Sequence, residues 1–538
     1  MNDGNISIGR VVSVSGPQVV FLLNKESEPG DLSPHSRTIE VGSIVKVCGD
    51  KSELVGMIRS VSIPIPNNDA SPDELKIGEL ELIGELVGEE GNQKAGFQRG
   101  VSFFPSLGDE IYLTSEEDVR EIYACPRTPT ACVGRVHQQA SLPAYVKIND
   151  LLGKHFAVLG TTGSGKSCAV TVVLKALLRE SPHARILLLD PHNEYAQAFG
   201  TSAQRLDPAE TLELPYWLFN FDELCEVVIG NDELRSAQAA ILAEAIVDSK
   251  QKFVNFKSNY AITVDTPSPY WMSDVMAFLQ QAQGKLTRSE PIPAYARLAS
   301  RLKKLTNDSR YSFMFGRAAA GDNMKALLSK LFRIPVSGMP VTITDLSGIP
   351  SEILNVVVSV LCRLTLDFAL WSDRTFPILI VCEEAHRYVP RDTTLGFEPT
   401  KRTLGRIAKE GRKYGVSLCV VSQRPSDLAQ DILSECNTIF ALRMNNQEDQ
   451  EFIRATMSDS GLGLLEFLPS LRAGEAITIG EGVTIPQRLT FLDLPANEMP
   501  RGKSSSFSTA WQTEQSAAND AISVAIDRWR HLQRNTMN

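Results

Sequence analysis

The chain has 538 residues, 43% hydrophobic and 22% charged, with a formal net charge of −10 at pH 7. At roughly 100–200 residues per domain, that length points to about three folding units, able to bury cores without disulfides or metals. The acidic balance excludes a protein that merely coats nucleic acid by neutralising phosphates. Any DNA contact must therefore be a local basic strip on an acidic body.

Residues 1–140 are dense in short β-like runs broken by Gly and Pro, among them GRVVSVSGPQVVFLL, GSIVKVCG, LVGMIRSVSIPI and GDEIYLTS. This pattern predicts a small closed β-barrel. It carries no catalytic constellation and reads as an assembly or docking module. From about Lys147 the pattern changes to a strand, HFAVLG, then TTGSGKS, a helical run CAVTVVLKALLRE, and a second strand, RILLLDPHNEY. Strand, helix, strand in that order is a parallel α/β unit. Residues 141–220 and 336–500 are expected to form this core, and the largely helical 221–335 an insertion within it. Strands resume at VTITDLSG, PILIVCEEAH, GVSLCVVSQ, NTIFALRM and GEAITIG. Over 501–538, RGKSSSFSTAWQTEQ reads as a polar linker and AANDAISVAIDRWRHLQ as an amphipathic helix expected to pack on a neighbour.

The nine cysteines include no C-x-x-C pair, and several lie inside apolar runs such as SLCVVS. They read as free thiols of a reducing compartment rather than zinc ligands. The opening MNDGNISIGRVVSV lacks a basic segment followed by an apolar core, so no signal peptide is expected. No run reaches the roughly 18 apolar residues of a membrane span. A cytoplasmic location without membrane contact is expected.

The strongest chemical signal is Gly160-Thr161-Thr162-Gly163-Ser164-Gly165-Lys166-Ser167, with Cys168 following in the helix. It matches G-x-x-x-x-G-K-[ST] in the required setting, strand before and helix after. The glycines let backbone N–H groups turn inward around phosphate oxygens, and the helix N-terminus adds its dipole. Lys166 is expected to reach the β and γ phosphates of ATP, and the Ser167 hydroxyl to ligate Mg²⁺. Alone, the same letters could be a Gly-rich turn.

The run Pro377–His386, PILIVCEEAH, delivers two acids at the carboxyl end of an apolar strand, where ligands of parallel sheets bind. Asp usually holds the Mg²⁺ shell; here the position is Glu383, one methylene longer. Glu384 is then the candidate general base that polarises the attacking water. Asp190, after the second core strand, reads equally as a metal-shell carboxylate or as a cap of a structural turn. Gln423 in SQRP is placed to hydrogen-bond the γ phosphate, or is a polar turn residue. In PTKRTLGRIAKEGRKYG, Arg402, Arg406, Lys409 and Lys413 share one helical face and Arg412 lies beside it. That face is either solvated, or divided between DNA phosphate contacts and an arginine finger to a neighbouring subunit, for which Arg412 is one candidate. The Gly-rich GEAITIGEGVTIP is a candidate base-reading segment.

Taken together, GTTGSGKS, LLLDPHNEY, LPYWLFNFDEL, TDLSGIPSEILNVVVSVL, CEEAHRYVP, AKEGRKYG and SQRPSDL resemble the HerA family of hexameric DNA translocases, related to the FtsK motors, over about residues 5–500. The opening GRVVSVSGPQV also resembles the barrel that HerA proteins share with rotary ATP synthase subunits. CEEAH, SQRP and the helical insertion do not fit the rotary class. The resemblance implies a RecA-like core, a homohexameric ring with ATP between subunits, and double-stranded DNA in its channel. It also implies a nuclease partner such as NurA, or an NADase effector in antiphage defence, docked on the barrel side. In that family the residue before the His of the first core strand is often an Arg acting on a neighbour's nucleotide. Here Lys154 stands there, which keeps the charge but not the fork of donors. A second functional reading is an ATP-dependent scaffold that assembles and activates a partner effector, with translocation secondary.

Overall fold

Six short apolar runs close on themselves at the start of the chain. These are β1 (Ser7–Ser15), β2 (Gln18–Leu23), β3 (Ile44–Cys48), β4 (Glu53–Ser62), β5 (Ile77–Val87) and, after the short β6 (Gly96–Arg99), β7 (Glu110–Leu113). The strand order β2-β1-β7-β3-β4-β5 is closed by β5 pairing back to β2, all antiparallel, and β6 adds to the end of β5. Closure leaves no unpaired edge among the six, the physical reward for a barrel over an open sheet. Ile8, Val19, Phe21, Val47, Leu54, Leu80 and Ile111 fill its interior. The helix α1 (Glu116–Ile122) follows, fixed by a capping box in which Ser115 accepts from Asp118 N–H while the Asp118 carboxylate takes Ser115 N–H.

The structure, a computed structural model, describes residues 7–24, 39–48, 53–63, 75–87, 96–253, 261–285, 292–316, 321–457, 462–500, 511 and 522–526. The chain divides into two compact units. The first comprises Met1–Glu180, Val421–Ser426 and Leu433–Leu494, and the second Ser181–Val420, Asp427–Ile432 and Pro495–Asn538.

Beyond the barrel the first unit continues with β8 (Thr130–Val136), β9 (Pro143–Lys147), α2 (Ile148–Gly153), β10 (Phe156–Leu159) and α3 (Lys166–Glu180). In the second unit the chain forms β11 (Ile186–Asp190), α4 (Ala196–Phe199) and β12 (Ala203–Leu206). Six helices follow: α5 (Phe221–Val228), α6 (Arg235–Phe253), α7 (Met272–Lys285), α8 (Ile292–Asn307), α9 (Ser312–Phe315) and α10 (Met324–Leu331). Then come β13 (Val341–Asp345), α11 (Ser351–Trp371), β14 (Ile378–Cys382), α12 (Glu398–Tyr414) and β15 (Val416–Ser422), whose last residues pass into the first unit. α13 (Gln430–Leu433), β16 (Thr438–Leu442), α14 (Gln447–Thr456), β17 (Glu475–Gly480) and β18 (Gln487–Phe491) complete the described elements.

The second unit's sheet is parallel throughout, in the order β12-β13-β11-β14-β15. Strands such as ILLLD, VTITD and ILIVC are buried at every position, as expected where helices cover both faces. The first unit's ladder runs β10-β16-β17-β18-β8-β9, parallel only between β10 and β16. The sequence boundary at residue 140 therefore falls too late. The barrel strands end at Leu113, and β8 pairs with β18 in the other sheet. The run TACVGRV alternates equally well for either sheet, so periodicity alone did not separate them.

Among the described residues one helix, α11, is long and apolar enough to cross a membrane, which the sequence reading did not anticipate; 72% of its apolar window is buried inside the fold. Two of its polar residues also face protein. Arg363 donates to the buried Glu223 carboxylate of α5 (2.9 Å) and to Leu218 O (2.6 Å), and Ser359 donates to the same carboxylate (2.8 Å). That network ties the helical region to the core. The helix expected near the C-terminus lies largely outside the described residues; 522–526 are helical.

Candidate nucleotide site

In the first unit, the fully buried strand β10, FAVL, ends at Leu159 and the chain turns through residues 160–165 into α3. Gly165 has φ of +96°, a left-handed conformation that L side chains rarely adopt. A Cβ on Gly160 would lie 2.8 Å from both Leu442 Cβ and Ser164 Oγ, so no side chain fits there. The loop is pinned from outside. Gly160 N–H donates to Ser422 O (3.3 Å), both the N–H and the hydroxyl of Thr161 donate to Arg443 O (3.0 Å each), and Gly474 N–H donates to Ser164 O (3.3 Å). It is also pinned from within. The Ser164 hydroxyl (2.7 Å) and the Lys166 ammonium (3.2 Å) both donate to Thr161 O. The first turn of α3, at Lys166, Ser167 and Cys168, adds its amides and the positive end of the helix dipole. Gln423, just past β15, accepts a hydrogen bond from the Thr162 hydroxyl at 2.5 Å, so the structure places it on the loop.

In the second unit, parallel register pairs Asp190 with Asp345, and β14 lies on the other side of β11, ending at Cys382 with Glu383 and Glu384 next. The Asp190 carboxylate accepts from His192 N–H (3.3 Å) and Tyr195 N–H (3.1 Å), the geometry of a capped turn. Burial pushes its pKa up. The amides of Tyr195, Glu194 and His192 oppose the shift and the Asp345 charge adds to it, leaving the group above its ordinary value. Asp345 is held by the Arg205 guanidinium (2.6 Å) and by Ser347 N–H (2.9 Å). Glu383, buried, accepts from the Tyr195 hydroxyl and from Glu384 N–H (3.3 Å). Glu384 sits at φ of +50°, a conformation that costs of order 1 kcal/mol or more for a non-glycine residue and clusters at functional sites. Its Oε2 is buried and accepts no hydrogen bond among the described residues; His386 Nδ1 stands 3.3 Å away.

Among the described residues no group of three or more His, Cys, Asp or Glu forms a protein-only metal cage. Magnesium at nucleotide sites takes one or two carboxylates alongside phosphate oxygens and water. In the second unit the hard oxygens of Glu383 and of Glu384, its neighbour in sequence, suit that chemistry. In the first unit the Ser167 hydroxyl is a donor of the same kind.

The remaining predicted residues lie apart from these two clusters in their contacts. Lys154 pairs with Glu481 of its own chain, a carboxylate also held by Asn437 (3.1 Å). On α12, Arg402, Arg406, Lys409, Arg412 and Lys413 are all exposed. Arg406 pairs with Glu410 (3.1 Å) and Lys409 with Asp431 (3.5 Å), whereas Arg402, Arg412 and Lys413 have no ion-pair partner among the described residues. Sequence reasoning missed the Arg443 carbonyl, Gly474, Tyr195 and the Arg205–Asp345 pair. Backbone groups carry no residue-type signal. Tyr195, by contrast, stands in the quoted LLLDPHNEY, and a Tyr five residues past a strand-end acid could have been noted.

A G-x-x-x-x-G-K-S loop between a buried strand and a helix, with acids at the ends of parallel strands, defines a P-loop ATPase. The fold is similar to that of VirB4 of Thermoanaerobacter pseudethanolicus, with a TM-score of 0.50 at 16% identity, covering 69% of this chain and 98% of that one. Residues 131–365 match the family model described as Helicase HerA, central domain. The chain is 25% identical to the DNA double-strand break repair helicase HerA of Pyrococcus furiosus over 508 residues, 86% of each chain. It is 26% identical to a probable helicase of Methanocaldococcus jannaschii over 90% of each. The chain is thus similar to HerA helicases along most of its length, and its residues 131–365 match their central domain.

Proposed function

We propose that this ATPase works as a homohexameric ring that converts ATP hydrolysis into movement along double-stranded DNA. The observation that carries the reading is similarity along nearly nine-tenths of the chain to a DNA double-strand break repair helicase. The exposed basic face of α12, three of whose cations have no ion-pair partner among the described residues, supports it, because phosphate contacts on an acidic body require such a strip.

In this reading Gly160, Thr162, Gly163, Ser164, Gly165, Lys166, Ser167 and Cys168 grip the triphosphate. Glu384 polarises the attacking water, and Gln423 responds to the γ phosphate. A magnesium ion bound with the nucleotide would neutralise charge on the β and γ oxygens; Ser167, Glu383 and Asp190 are its proposed donors. Arg412 is the proposed finger to the neighbouring subunit. The buried free thiols suit a reducing cytoplasm. The test is ATP turnover with and without duplex DNA across a salt series. DNA should stimulate turnover, and the stimulation should fade as salt rises. Equal rates with and without DNA would refute the translocase reading.

The closed barrel favours a second reading in part. Among the described residues, the barrel strands up to Leu113 carry no group of three or more His, Cys, Asp or Glu that could hold a metal, which suits a docking module for a nuclease or NADase effector. Glu384→Gln separates the two readings, since it should bind ATP without turning it over. Full effector activity with that variant would make scaffolding the primary role.

A further inference from the structure

We propose that Tyr195 is a positioning residue for the Glu383 carboxylate. The inference rests on the reading of Glu383 as part of the magnesium shell. Tyr195 is 1% exposed and reaches both acids. Its N–H donates to Asp190 Oδ2 at 3.1 Å, and its hydroxyl donates to Glu383 Oε1. Glu383 Oε2 accepts from Glu384 N–H at 3.3 Å. Each carboxylate oxygen thus has a donor, and Tyr195 links the end of β11 to the end of β14.

The physical need follows from side-chain length. A glutamate has one more rotatable bond than the aspartate common at this position, and each free rotor lowers the population in any one geometry. A buried hydroxyl cannot trade its bond to Glu383 for water, so it holds Oε1 in one place. Each carboxylate oxygen can accept more than one hydrogen bond or metal contact, so this bond leaves Glu383 able to accept a magnesium-bound water. An aspartate would fall one methylene short of the same anchor.

Tyr195→Phe removes the hydroxyl and keeps the ring. The experiment is binding of a fluorescent ATP analogue to the full chain, titrated with Mg²⁺ and repeated in EDTA, with turnover against Mg²⁺ and the thermal midpoint measured alongside. One hydrogen bond predicts a Mg²⁺ half-saturation raised about two- to tenfold, with EDTA affinity and thermal midpoint unchanged. Glu383→Asp, which leaves Tyr195 intact, should shift it similarly, and Tyr195→Phe should add nothing in a Glu383→Gln background. If Glu383→Gln moves the half-saturation and Tyr195→Phe does not, the positioning role is overturned and the reading of Glu383 stands. If Glu383→Gln itself leaves it unmoved, the reading of Glu383 falls and takes this inference with it. An equal loss of affinity with and without Mg²⁺, together with a lower thermal midpoint, would assign the tyrosine to packing alone.

Discussion

The phosphate loop and the acidic strand ends solve the same problem, holding charge-bearing atoms still, by opposite means. The loop is built from backbone. Thr161 O collects Ser164 and Lys166, Arg443 O collects Thr161, and Gly474 N–H reaches Ser164 O. The acids instead combine turn amides on Asp190, Asp345 and Glu383 with side chains brought from elsewhere in the second unit, Arg205 on Asp345 and Tyr195 on Glu383. A backbone cradle tolerates most side-chain changes and fails where a Cβ intrudes. A cluster of buried carboxylates fails when a donor is removed, because an uncompensated charge stays behind. The two regions should therefore respond differently to mutation.

The largest effect is expected in the loop's one indispensable side chain. Lys166→Ala should lower ATP turnover by about 10²–10³-fold or more, the scale of losing one preorganised donor to transition-state charge. Unfolding curves should change less than turnover, since the loop is also pinned by the backbone bonds of Gly160, Thr161 and Gly474. A large loss of stability instead would mean that Lys166 is part of the loop's scaffold.

Next comes Arg205→Met. It strips the guanidinium from Asp345, whose side chain is 4% exposed, while Arg205 itself is 44% exposed. Breaking a fully buried pair costs about 3–5 kcal/mol. Solvent screening at the arginine brings the expectation to about 1–3 kcal/mol, read as a lower midpoint in urea. Nucleotide binding by the loop should change less than stability does. Stability unchanged by this variant would break the contrast between the two regions.

The smallest effect is expected at Thr162→Val, which removes the 2.5 Å bond to Gln423 on an exposed residue. A net hydrogen bond is worth about 0.5–1.5 kcal/mol, so ATP affinity should fall less than about tenfold, with no measurable change in thermal midpoint. A larger loss would show that Gln423 organises the loop rather than resting on it.

The barrel was legible because its apolar runs are short, evenly spaced and broken by Gly and Pro. The loop was legible because each glycine and the Lys-Ser pair answer a local steric or charge requirement. The seam between barrel and core was not, since β8 reads as one more short strand until its partner β18, some 350 residues later, is known. The apolar length of α11 was missed because Glu352, Arg363 and Asp367 interrupt the run, and only the fold shows Arg363 absorbed by Glu223. Asp190 was left between two roles by sequence. The structure supplies the turn amides of the capping role, and the metal-shell role is the one proposed above.

Sequence by itself marked out the candidate phosphate loop, because that pattern is written within eight consecutive positions and does not depend on distant partners. Only tertiary structure decided who holds the acids, that Lys154 is paired with Glu481, and that Gln423 meets Thr162. Those contacts join positions up to several hundred residues apart. Their existence depends on strand order and register, which no local pattern encodes.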